Sequence, residues 1–204
     1  GSTIPRVENA IMIDFTGMKE IIEINDDNMM VTVQTGITWS GLIHQLKEKG
    51  FKLGFRGPYG GNAGTVGGSL SANSIGCGAS AHGSACDNVV SLEVVLSSGE
   101  VIKTGSSWGN NSSDMDGAFA RYCTFNDMTG IFLGDHGSLG LKTAATLKIF
   151  PLPKGEAYSD FGFSNLDQAV KAFHEIQKSH IVEEAVMLGD KNSIDLLASS
   201  YLST

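Results

Sequence analysis

Ten of the thirty residues from Gly54 to Gly83 are glycine (Gly54, Gly57, Gly60, Gly61, Gly64, Gly67, Gly68, Gly76, Gly78 and Gly83). Glycine loses more backbone freedom on folding than any other residue. A chain that concentrates it needs a return, either close approach of one backbone to another or a left-handed backbone angle. The spacing has no strict every-third-residue period, which excludes a collagen helix. The chain as a whole has 26 glycines in 204 residues but only 4 prolines, and 41% of it is hydrophobic. That composition supports a packed core and not a disordered tract. A second, smaller knot follows at Gly130, Gly134, Gly137 and Gly140.

The charge balance narrows the function classes. With 14 Lys and Arg against 22 Asp and Glu, the formal net charge is −8. The basic residues form no run, so a nucleic-acid or anionic-membrane face is not expected. No stretch approaches eighteen uncharged apolar residues, so no transmembrane helix is expected. The three cysteines, Cys77, Cys86 and Cys123, are too few for a secreted disulfide framework, and a reducing cytoplasm is the default. Cys77, His82 and Cys86 lie close in sequence but lack the paired C-x2-C spacing and fourth ligand of a structural metal site, so no metal is expected.

Read along the chain, Ala10–Phe15, Glu20–Ile24 and Met29–Thr35 have the apolar patterning of three short strands in a meander. Thr38 is placed to cap a helix from Trp39 to Lys49, stopped by Gly50. Residues 51–85 hold no long period and read as an extended functional loop. Val89–Leu96 and Glu100–Thr104, joined through Ser97-Ser98-Gly99, read as a hairpin. Residues 105–127 are polar and irregular, an excursion on the surface, and Leu141–Phe150 is a strand closed by Pro151-Leu152-Pro153. Beyond that point come a strand at 158–163, a helix capped at Ser164 or Asn165, a strand at 184–188 and a helix start at 193–201. This β-α-β-α run is too short to close a core of its own.

A glycine-dense loop can turn successive N–H groups toward one anion and let the backbone approach a flat ligand. The run from Gly57 to Asn73 has that character, with hydroxyl and amide side chains among the glycines. It contains no Walker A sequence and no G-x-G-x-x-G between a strand and a long helix. On composition alone, tight turns for packing remain the competing explanation. Two motifs in order separate the two. Gly57-Pro58, Thr65-Val66-Gly67-Gly68, Ser71-Ala72-Asn73-Ser74-Ile75-Gly76, His82-Gly83 and the hairpin precede Gly134-Asp135-His136-Gly137-Ser138-Leu139-Gly140-Leu141-Lys142-Thr143, which is similar to G-S-E-G-T-L-G-[IV]-x-T. Together they resemble the FAD-binding domain of the vanillyl-alcohol oxidase family. The branch is that of glycolate oxidase, D-lactate dehydrogenase and alkyl-dihydroxyacetone-phosphate synthase.

The resemblance implies an α+β fold: a PCMH-type FAD-binding domain, its second subdomain having a mixed sheet with flanking helices, over residues 1–153. The start of an α/β substrate domain would occupy 154–204. It implies FAD as cofactor, with Pro58, Tyr59, Gly60, Gly61, Asn62, Gly64 and Thr65 along the isoalloxazine and pyrophosphate side. Val66, Gly67 and Gly68 would stand where the flavin nears the backbone, and Ser71, Ala72, Asn73, Ser74, Gly76 and Gly83 would continue the cradle. Asp135, His136, Gly137, Leu139, Gly140 and Leu141 would line the adenosine end. His136 replaces the motif's Glu, and Ile75 stands where small residues are common. His82, Cys77 and Cys86 are weighed for covalent flavin attachment against simple loop packing, Arg56 for a phosphate contact against a surface charge, and Trp39 is read as core. The implied activity is hydride transfer from a small 2-hydroxy acid, such as glycolate or D-lactate, to flavin. The rival readings are a synthase-like use of the same domain and a non-catalytic fragment. The chain is expected to be truncated at both ends, to lack the family's first pyrophosphate loop and its catalytic residues, and to bind FAD weakly by itself. A small-molecule substrate and an electron acceptor of unknown nature are the expected partners, with room for a homo-oligomer.

Overall fold

The computed structural model describes Asn9 and residues 11–58, 64–105, 121, 126–187 and 189. The chain divides into two compact units, Gly1–Gly155 and Glu156–Thr204. In the first unit β1 (Ile21–Asn25) and β2 (Met30–Gln34) form a hairpin. Its turn is fixed where Asn25 accepts the Asn28 N–H at 2.9 Å, a side-chain turn typical of Asn. Helix α1 (Trp39–Glu48) follows, capped by the Thr38 hydroxyl, which accepts the Gly41 N–H at 3.1 Å. Next come β3 (Phe51–Leu53), α2 (Val66–Ala72), α3 (Ala79–His82) and a single 3-10 turn, Ala85–Asn88. The hairpin of β4 (Val89–Val95) and β5 (Val101–Lys103), the short α4 (Met128–Ile131) and the eleven-residue β6 (Leu141–Pro151) complete the unit.

The sheet order is β1-β2-β6-β4-β5, with β3 on the far end of β6. Every described pairing is antiparallel, where a mixed sheet is expected from the sequence. The reason is topological. Two hairpins supply β1–β2 and β4–β5, and β6 inserts between them running opposite to both β2 and β4. Those two strands share a direction but never touch. One face carries Val31, Val33, Leu92, Leu147 and Ile149 against Trp39, Leu42 and Leu46 of α1 and Val66 and Leu70 of α2. Trp39 meets Phe55 edge to face with centroids 5.0 Å apart, and its Nε1–H donates to Ser69 Oγ at 2.7 Å. Trp39 is therefore core, and the indole's polar edge is satisfied.

Three expectations are corrected. Residues 11–15 are irregular; Ile11 is 88% exposed and pairs with no strand among the described residues, so the first strand of the meander is absent. A strand needs a partner, whatever its composition. The long loop at 51–85 is instead divided by β3, α2 and α3. Helix α2 is seven residues, VGGSLSA, two of them glycine. Intrinsic propensity disfavours it. It forms because Thr65 caps it, accepting the Gly68 N–H at 3.2 Å, and because Val66, Ser69 and Leu70 are buried. In the second unit the helix is present as α5 (Leu166–Ser179), capped by Asn165 accepting the Gln168 N–H. Residues 158–163 and 184–187 form no strand there. The excursion at 105–127 lies almost wholly outside the described residues, as do residue 188 and the helix start at 193–201. Among the described residues no helix is long and apolar enough to cross a membrane.

Candidate functional site

A cavity of about 320 Å³ opens in the first unit, within the size range of small-molecule sites, roughly 300–1,000 Å³. Its walls come from three places. The irregular segment Ile13–Thr16 forms one wall, and Thr65, Gly67, Gly68 and Ser71 of the α2 region a second with Thr35 beside them. Gly137, Gly140, Leu141 and Lys142 form the third. Residues from the two glycine segments, some seventy positions apart, thus face one space.

Each segment reaches it by a different route. Around α2 the backbone donors are consumed internally: Val66 N–H bonds Ile37 O, Gly67 N–H bonds Thr35 O, Gly68 N–H bonds the Thr65 hydroxyl and Ser69 N–H bonds Thr65 O. The glycine at 67 answers a steric demand. A Cβ there would lie 2.9 Å from Thr35 Cβ and 3.2 Å from Thr35 O. In the second segment Gly137 has φ +79, and a Cβ added to it would meet nothing within 4 Å. Its demand is conformational, and its Cα side looks into open space.

Beneath Gly137 lies an ion pair that the sequence reading did not single out. Lys142 Nζ donates to Asp135 Oδ1 at 2.6 Å, and both side chains are only 2% exposed. The Asp135 carboxylate also accepts the N–H of Gly137 at 3.0 Å and of Leu139 at 3.3 Å. Burial pushes the Asp135 carboxyl up. The hydrogen bond from Lys142 and those backbone donors outweigh it and hold the group below the usual carboxylate range. Thr35 Oγ1 donates to Lys142 O, tying this pair to the wall opposite Gly67. A signal was present in the sequence: one lysine in the apolar run Leu141–Leu147, seven residues after an aspartate.

Of the positions expected to hold a cofactor, Thr65, Gly67, Gly68, Ser71, Gly137, Gly140 and Leu141 line the cavity. The others take different places. Val66 is buried in the core. Asn73 is the left-handed C-cap of α2, and Ala72 is that helix's last residue. Ser74 N–H bonds Ser69 O, and Pro58 and Gly76 bridge to each other. Gly83 ends α3. His136 N–H bonds Ser71 O, and Leu139 is half exposed. Gly64 O accepts the Trp39 N–H. Tyr59, Gly60, Gly61 and Asn62 lie outside the described residues. Lys142, Thr35 and the Ile13–Thr16 wall are additions from the structure.

The residues weighed for covalent flavin attachment lie off the cavity wall. His82 packs on Phe150 with centroids 4.7 Å apart. Cys86 is buried and its Sγ–H donates to Leu70 O. Burial pushes its thiol up to about 11, only partly opposed by Arg121, so it holds little of the thiolate that would act as nucleophile. Cys77 is half-buried. Among the described residues no group of three His, Cys, Asp or Glu is placed to hold a metal.

This arrangement defines an α+β domain whose cavity is lined by two glycine-rich segments, one a capped helix and one a turn. Residues 1–105, more than half of the chain, match the family described as FAD binding domain, and the chain belongs to that family. It is 29% identical over 194 residues to a glycolate oxidase subunit of Bacillus subtilis, 95% of this chain and 38% of that protein. It is 27% identical over 188 residues to a D-lactate dehydrogenase of Anaerostipes hadrus, 92% of this chain and 37% of that one. It is 30% identical over 166 residues to an alkyldihydroxyacetonephosphate synthase of Caenorhabditis elegans, 81% and 26%. A solved alkyldihydroxyacetonephosphate synthase shares the fold, with TM-score 0.64 at 24% identity over 83% of this chain and 28% of that one. The chain thus spans well under half the length of these relatives.

FAD is the cofactor that the family is defined by, and the site can be tested against it. The open Cα side of Gly137, the hydroxyls of Thr65 and Ser71 and the small residues between them suit a flat, hydrogen-bonding ligand.

Proposed function

We propose that the chain is the flavin-binding portion of an FAD-dependent oxidoreductase acting on a small 2-hydroxy acid, with glycolate and D-lactate as the leading candidates. The observation that carries this reading is the convergence of the two glycine segments on one cavity, in a chain of the FAD binding domain family. The naming of relatives as a glycolate oxidase subunit and a D-lactate dehydrogenase supports the substrate class.

FAD, when bound, supplies the ring that accepts a hydride from the hydroxyl-bearing carbon. The chain's own contribution is position and exclusion of water. Thr65, Gly67, Gly68 and Ser71 offer one wall close to the ligand, with Tyr59–Asn62 next to them in sequence. Gly137, Gly140 and Leu141 offer the opposite wall toward the adenosine end. Residues 1–153 are read as the FAD domain and 154–204 as the opening of a substrate domain. The cytoplasm is the proposed location, the substrate a small molecule, and the electron acceptor a separate partner. A second reading, a synthase-like use of the domain, is favoured by the 30% identity to the nematode alkyldihydroxyacetonephosphate synthase.

Anaerobic addition of glycolate or D-lactate to the intact purified protein tests the choice. Bleaching of the flavin absorbance near about 450 nm is expected. A yellow protein that neither acid bleaches overturns the hydroxy-acid assignment and favours the synthase. A colourless protein that takes up no added FAD overturns both.

A further inference from the structure

A curl of backbone N–H groups is a standard receptor for anions. In the second glycine loop that receptor is already filled from within. Gly137 and Leu139 donate to the Asp135 carboxylate, while Gly134, His136 and Ser138 N–H bond Leu70 O, Ser71 O and Asp135 O. Lys142, almost wholly buried, supplies the opposite charge at 2.6 Å and lines the cavity with Gly137.

We propose that Asp135 and Lys142 are a positioning and selectivity pair: the carboxylate occupies the loop where a ligand phosphate would otherwise sit. The loop then reaches the cavity already shaped, and this end of the cavity takes an uncharged portion of the ligand, because the N–H donors and the lysine charge that a second anion would need are already taken. Where that ligand is FAD, which rests on the function proposed above, the pyrophosphate is directed to the first glycine segment. The filling of the loop does not depend on that assignment.

Asp135→Ser empties the loop, leaving the Gly137 and Leu139 N–H groups and the Lys142 ammonium facing the vacated space. The probe is inorganic phosphate, titrated by calorimetry into intact protein without flavin. The variant is expected to bind phosphate at least tenfold more tightly than wild type, and Asp135→Ser/Lys142→Met to lose that gain. Equal phosphate affinity in wild type and Asp135→Ser overturns the selectivity role. Should Asp135→Ser fail to fold, Asp135→Leu/Lys142→Met replaces the buried pair by apolar side chains, a change that buried pairs commonly tolerate. For this double variant, folded by circular dichroism, FAD binding followed by flavin fluorescence is expected to weaken at least tenfold. Unchanged FAD affinity in the folded double variant overturns the positioning role. A wild type that binds no FAD sinks the flavin reading and leaves the phosphate comparison standing.

Discussion

The two glycine-rich segments look alike in composition and differ in what holds them. The first, around α2, is steric: Gly67 is glycine because Thr35 leaves no room for a Cβ, and its N–H is bonded across to Thr35 O. The second is electrostatic and conformational over 134–139, although Gly140 at its end is packed so that an added Cβ would lie 2.5 Å from Val94 Cγ1. The loop wraps the Asp135 carboxylate, and Gly137 adopts φ +79 with empty space on its Cα side. Glycine density in a sequence therefore reports that backbone is under demand without reporting which demand. The two kinds should fail differently on substitution.

The largest effect is expected from Lys142→Met. Removing one partner of a buried pair leaves the other charge uncompensated, typically about 3–5 kcal/mol of destabilisation. Denaturant unfolding at neutral pH measures it. The pH dependence provides a second reading. The folded Asp135 carboxyl sits below its usual range. Its contribution is therefore present above the unfolded value of about 3.9 and lost as pH falls through the folded value. Without Lys142, burial is the main influence left and favours the protonated form. The gap between wild type and variant should thus narrow as pH falls below about 5. A gap that widens on acidification would contradict the pairing. Asp127 is held low chiefly by its hydrogen bond from Arg121 and loses its contribution in the same direction.

Gly67→Ala comes next. Its Cβ would force Thr35 to move, and Thr35 is anchored to Lys142 O. Overpacking of this kind costs about 1–3 kcal/mol. Gly137→Ala should cost less stability, about 1–2 kcal/mol, because only the left-handed backbone angle opposes it. Gly137 lines the cavity and its new methyl would meet no protein atom within 4 Å, so its effect on FAD binding should exceed that of Gly67→Ala although its effect on unfolding is smaller. That inversion, read from melts and flavin titrations on both variants, is the sharpest check on the contrast. If the two variants rank the same way in both measurements, the segments are not distinct.

How much of this was legible in the sequence varies with the physics involved. The Thr38-capped helix, both hairpins and β6 follow from local patterning and caps, and all are present. Helix α2 was not legible, because two glycines and two serines argue against a helix. Only the Thr65 cap and the burial of Val66 and Leu70 overrule them. Ala10–Phe15 has strand composition, but pairing is a property of the fold, and residues 11–15 pair with nothing described. For the site, both glycine motifs contribute to one cavity, Thr65, Gly67, Gly68 and Ser71 from the first and Gly137, Gly140 and Leu141 from the second. The motif's variable position concealed Lys142, whose importance comes from a partner seven residues earlier. The supposed reserve of open N–H donors between Val66 and Ser69 also proved to be committed within the protein.

The smallest expected effect concerns two threonines that perform the same local task. Thr38 and Thr65 face each other across an isolated bridge, and each caps a helix by accepting an N–H three residues on. Loss of such a cap costs about 1 kcal/mol, so Thr38→Ala and Thr65→Ala should destabilise to a similar, small degree. Thr65 alone of the two lines the cavity. Thr65→Ala should therefore weaken FAD binding several-fold, with Thr65→Ser restoring it, while Thr38→Ala leaves the flavin titration at the wild-type value. Equal flavin affinity for both alanine variants would mean that the α2 wall supports the fold without touching the ligand, and the first segment would then be steric in every respect.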